Sequence, residues 1–75
     1  MTAGPQKHSL TLRGHRTSVT LEPEFWQAFR DIAADKDIAI NVLAAQIDAS
    51  READVGLASA IRVYVLRYYR NPSNG

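Results

Sequence analysis

Arg16, Ser18 and Thr20 alternate with Thr17, Val19 and Leu21. On a strand successive side chains point to opposite faces, so the first three share one side and the other three share the reverse. The first side carries a permanent cation with five N–H donors, followed by two hydroxyls that each donate and accept. That is the chemistry of a contact surface for a polar or anionic partner, and it contains nothing able to break a bond. The histidines, His8 and His15, have no nucleophile or paired carboxylate at a telling spacing, and a chain this short leaves little room for a cleft. No enzymatic activity is expected. With no cysteine, disulfides and thiolate zinc sites are excluded, and two histidines alone are no basis for a metal site, so no cofactor is expected either.

The strand that positions this face runs from His15 to Leu21, where β-branched and small polar residues suit a half-buried ribbon. It ends at Pro23, which lacks an N–H and fits the first turn of a helix, with Glu22 and Glu24 placed to favour a helix N-terminus. A first helix is expected from about Pro23 to Lys36, with Phe25, Trp26, Phe29 and Ile32 on its apolar face. A second is expected from about Ile40 to Arg51, lined by Leu43 and Ile47, with a poorly marked start because Ala39 stands where a hydroxyl cap belongs. The third should run from Gly56 or Leu57 to Tyr69, stopped by Arg70-Asn71-Pro72. Ile61, Tyr64 and Val65 belong to its wide apolar arc, while Val63 and Leu66 project from the other side, as on a helix with two things to pack against.

Before the strand, residues 1–8 read as a flexible arm, with the domain proper over 9–70 and a disordered tail over 71–75. Leu10 and Leu12 suggest a further short strand, but their parity is even whereas that of Val19 and Leu21 is odd. One continuous strand would put them on opposite faces, so Gly14 is expected to mark a break or bulge, with the leucines packed on their own domain or on a neighbouring subunit.

Seventy-five residues bury too small a fraction of their surface for comfortable stability, which points to oligomerisation as the staple. A lone strand leaves its ladder groups unpaired, and the strand certain to be available is its own copy, so an obligate homodimer is expected. No apolar run approaches the ~20 residues that span a bilayer, no signal-peptide core is seen, and the protein is expected in the cytoplasm. Net charge is only +1, but all eight carboxylates lie between Glu22 and Asp54, while Lys7, Arg13 and Arg16 precede them and Arg62, Arg67 and Arg70 follow. A polyanion on the strand face would meet no acid there.

The run GHRTSVTLEPEFW, then AINVLAAQID, then LASAIRVYVLRYYR resembles the ribbon-helix-helix superfamily of the Arc and MetJ repressors, and within it a small bacterial family with an extra C-terminal helix. The likeness covers about residues 9 to 70. It implies a mainly α fold with one short strand per chain, paired antiparallel with its copy in a homodimer to form a ribbon that enters the DNA major groove. Carried over by position, Arg16, Ser18 and Thr20 would contact bases, while Thr17, Val19 and Leu21 face the helices. The family also anchors phosphates on backbone N–H groups at the start of the second helix, here Ala39, Ile40 and Asn41, although Ala39 replaces the usual hydroxyl residue and Asp37 lies close by. Lys7, Arg13 and His15 join as backbone contacts by charge and location. The function implied is a sequence-specific transcriptional regulator, a repressor, acting on double-stranded DNA; the alternative is an antitoxin or protein-interaction module with a toxin or other protein partner.

Overall fold

Arg13 and Gly14 both have positive φ, +52° and +84°. Two consecutive residues in that region form the tight turn whose twist matches a β-hairpin, and the glycine takes its place there without steric cost. In the computed structural model, which describes residues 4–71, this turn joins β1 (Gln6–Leu12) to β2 (His15–Leu21) in an antiparallel pair. Three helices follow: α1 (Pro23–Asp35), α2 (Ile40–Ser50) and α3 (Leu57–Arg70). The expected termini hold to within one residue for all three. None of the described helices is long and apolar enough to cross a membrane.

The hairpin corrects three expectations. The chain has two strands where one was expected, and the strand paired with β2 is the chain's own β1. Gly14 closes a turn; it does not kink a continuous strand. β1 also begins at Gln6, so it takes in residues 6–8 of the expected arm; residues 1–3, and 72–75 of the expected tail, lie outside the described residues. The reason is the parity switch itself. The register sets Leu10 opposite Thr17 and His8 opposite Val19, so even positions of β1 share a face with odd positions of β2. Leu10, Leu12, Val19 and Leu21 are therefore all buried on one side of the ribbon.

That side closes over Phe29, Ile32 and Ala33 of α1, Leu43, Ala44 and Ile47 of α2, and Ile61 and Val65 of α3. Phe25, Trp26 and Tyr64, expected in the core, are half-buried at its margin. Trp26 is occupied by His8, whose ring lies parallel to the indole with centroids 3.9 Å apart. His8 Nε2 has no hydrogen-bond partner among the described residues, so stacking is what holds the ring. Thr17 shares the inward parity but stays exposed, because it borders an open groove with Leu12, Ala45 and Leu57.

α1 ends in a Schellman cap. Asp37 adopts φ +58°, its N–H bonds to Ala34 O at 3.0 Å, and the Ile38 N–H reaches back to Ala33 O at 3.0 Å. α2 starts at Ile40 with Ala39 as an N-cap that makes no side-chain bond, as its sequence suggests. Arg51 then shapes the link to α3, bonding Asp48 Oδ1 at 2.7 Å and Val55 O at 2.7 Å.

Candidate functional site

The face of the hairpin turned away from the helices is built from alternate residues of both strands: Lys7, Ser9 and Thr11 from β1, and Arg16, Ser18 and Thr20 from β2. All six are exposed. Across the ribbon Lys7 stands opposite Thr20, Ser9 opposite Ser18 and Thr11 opposite Arg16. The result is two cations at diagonally opposed corners with four hydroxyls between them, and no carboxylate. Strands ~4.8 Å apart make a ribbon narrow enough, side chains included, for a major groove ~12 Å wide.

The ribbon is held at both outer edges. The Thr11 N–H points away from β2 and donates to Asn41 Oδ1 at 3.1 Å, which ties β1 to the start of α2. On the other edge Arg62 Nη2 donates to Thr20 O at 3.3 Å, and the same guanidinium bonds Glu22 Oε1 at 2.9 Å. Arg62 also lies over the Phe25 ring, 5.8 Å from its centroid. It joins α3 to the junction where β2 becomes α1. These contacts hold the Glu22 carboxyl below its ordinary range, its own backbone N–H contributing most and Arg62 next. At the far end of the molecule Tyr68 donates to Asp35, and the carboxylate pushes the phenol up to about 12.

The basic residues at the ribbon and its supports fall into two groups, while Arg30, Lys36, Arg67 and Arg70 are exposed on the helices and their ends. Arg51 and Arg62 are engaged in ion pairs within the fold. Lys7, Arg13 and Arg16 are exposed and make no ion pair among the described residues, and all three lie on the ribbon or its turn. Arg13 is at the tip, beside His15, which is exposed at the start of β2. Ala39, Ile40 and Asn41 lie where α2 abuts the outer edge of β1, so the expected anchor region adjoins the ribbon, with the Asn41 side chain already committed to Thr11. Asp37 is exposed two residues before Ala39.

Sequence reasoning placed Arg16, Ser18 and Thr20 on one strand face, and the structure leaves all three exposed together. It missed Ser9 and Thr11, and gave Lys7 a place in an arm. The available signal was the opposed parity of Leu10 and Leu12 relative to Val19 and Leu21 across Arg-Gly, which is what a two-residue hairpin turn requires. Among the described residues no group of three or more His, Asp or Glu side chains is arranged to hold a metal ion.

A family model described as a ribbon-helix-helix domain matches residues 5–69. No curated protein and no solved structure matches the chain.

Proposed function

Because the chain belongs to the ribbon-helix-helix domain family, we propose that it is a sequence-specific DNA-binding transcriptional regulator, acting in the bacterial cytoplasm as a repressor. The family generally comprises DNA-binding regulators or antitoxins, generally forms dimers, and is not typically enzymatic. The observation that carries the proposal is the outward ribbon face, where unpaired cations and hydroxyls gather without a single acid. Arg16 pairs with guanine through N7 and O6, while Ser18 and Thr20 donate to or accept from neighbouring base edges. Arg13 and His15, with the backbone N–H groups of Ala39, Ile40 and Asn41, contact phosphates and set the ribbon's register.

Selection of bound sequences from a random duplex pool tests this directly. The expected result is one enriched motif; recovery of sequences indistinguishable from the input pool contradicts it.

A second reading, in which the domain serves as an antitoxin or another protein-interaction module, turns on what covers one surface. Val63, Leu66 and Tyr69 form an apolar stripe on the outside of α3, exposed by 44%, 55% and 53%. We assign this stripe to a second copy of the chain, in keeping with the dimers general in the family. Occupation by a toxin is the outcome that would favour the second reading.

A further inference from the structure

β1 and β2 repeat one pattern of residues. Lys7-His8-Ser9-Leu10-Thr11-Leu12 aligns with Arg16-Thr17-Ser18-Val19-Thr20-Leu21 at an offset of nine residues. Serine, threonine and leucine repeat unchanged, lysine stands for arginine, and leucine stands for valine. The pairing register respects the repeat. Ser9 faces Ser18, its own equivalent, while Lys7 faces Thr20 and Thr11 faces Arg16. Rotating the ribbon by half a turn about the Ser9–Ser18 pair therefore exchanges Lys7 with Arg16 and Thr11 with Thr20. This is the register that two copies of β2 would adopt about a two-fold axis through Ser18, realised inside one chain.

We propose that each chain carries a complete, quasi-two-fold reading head, in which Lys7, Ser9 and Thr11 contact bases on one side of a local dyad as Arg16, Ser18 and Thr20 do on the other. This rests on the DNA-binding reading above and changes what is read: a short, approximately dyad-symmetric segment is bound by one hairpin, not by two chains sharing a ribbon. The fold fixes β1 in cis by four independent means. The turn has the backbone of a two-residue hairpin, Leu10 and Leu12 are buried, Asn41 holds the Thr11 N–H, and His8 stacks on Trp26. His8 is where the repeat diverges most, its equivalent being Thr17, and the divergence supplies the clamp at the open end of the hairpin. The two halves read unequally. Arginine pairs with guanine through a rigid fork, whereas lysine brings three rotatable donors on a flexible stem, so the Arg16 half discriminates more sharply.

The test substitutes each base pair of the selected site in turn and measures binding by the wild type, Arg16→Ala and Lys7→Ala, all on exposed positions. Arg16→Ala should relax discrimination on one side of the dyad, by roughly 5- to 150-fold at the contacted pair. Lys7→Ala should relax it on the other side, by less. If Arg16→Ala relaxes both sides equally and Lys7→Ala neither, two chains supply Arg16 and the inference is overturned. A wild type without a preferred sequence would remove the DNA-binding reading itself, and the base-reading half of this inference with it.

The cis ribbon is tested without DNA. The chain has no native cysteine, and Ser9 and Ser18 belong to the same alternate set as Thr11 and Thr20, whose backbone groups point away from the ladder. In such pairs the opposed side chains come closest. On oxidation, Ser9→Cys combined with Ser18→Cys should cross-link within one chain, and Ser18→Cys alone should stay monomeric on a non-reducing gel. Efficient cross-linked dimer from Ser18→Cys alone overturns the cis ribbon.

Discussion

Side chains of one type do different work here according to what surrounds them. Arg62 and Arg16 carry the same guanidinium, yet Arg62 is held by Glu22, Thr20 O and the Phe25 ring, while Arg16 is exposed without an ion pair among the described residues. Composition cannot separate them, whereas strand parity alone puts Arg16 on the exposed face. Parity could not show that His8 covers Trp26, because the stack depends on a hairpin joining distant positions. Phe29 is fully buried, and truncating such an aromatic typically costs about 3 to 5 kcal/mol. Phe29→Ala should therefore lose its helical circular dichroism and DNA binding together; a normally folded variant would contradict the core assignment. Glu22 titrates below its ordinary value of 4.5 in the fold. A depressed carboxyl contributes stability that is present above the unfolded pKa and lost as pH falls through the folded one. The difference in unfolding midpoint between wild type and Glu22→Gln should be greatest near neutrality and close on acidification below about pH 4.5. A difference constant down to strong acid would show that the charged form is not what matters.

At the scale of elements, the helices were legible because each announces itself by a 3.6-residue apolar period and a local stop. The hairpin was not. Its turn is Arg-Gly, without the Asn or Asp that usually marks a two-residue connection, so the parity switch at Gly14 looked like a defect in one strand. An uncommon residue also stands at the end of α1, where Asp37 occupies a left-handed cap position that glycine usually fills. Asp37→Gly removes the steric cost of that backbone and should raise stability by about 0.5 to 1 kcal/mol, read as a higher midpoint in urea. No change, or a decrease, would mean that the aspartate side chain compensates for its strain. The proposed phosphate anchor is the least legible part of the candidate site: Ala39 offers no side-chain cap, and the adjacency of α2 to the ribbon emerges only from the contact of Asn41 with Thr11.

For the whole molecule, the hairpin removes one argument for a dimer and leaves another. The ladder groups on the inner edge of β2 no longer need a second chain, since β1 satisfies them, and on its outer edge Thr20 O accepts from Arg62. The apolar stripe of α3 still faces outward, and a domain this small gains from covering it. Leu66→Glu should convert a dimer in sedimentation equilibrium to a monomer, with the hairpin intact. If the wild type is already monomeric at high concentration, the stripe serves another partner.

Whether the outward ribbon face reads DNA sequence is decided most directly by titration of wild type and Arg16→Ala on preferred and scrambled duplexes at several salt concentrations. Arg16→Ala should lose affinity mainly for the preferred duplex, by about 1 to 3 kcal/mol per contact, while the salt-dependent binding to scrambled DNA changes far less. Equal loss on both duplexes would contradict the claim and leave the ribbon a general polyanion surface.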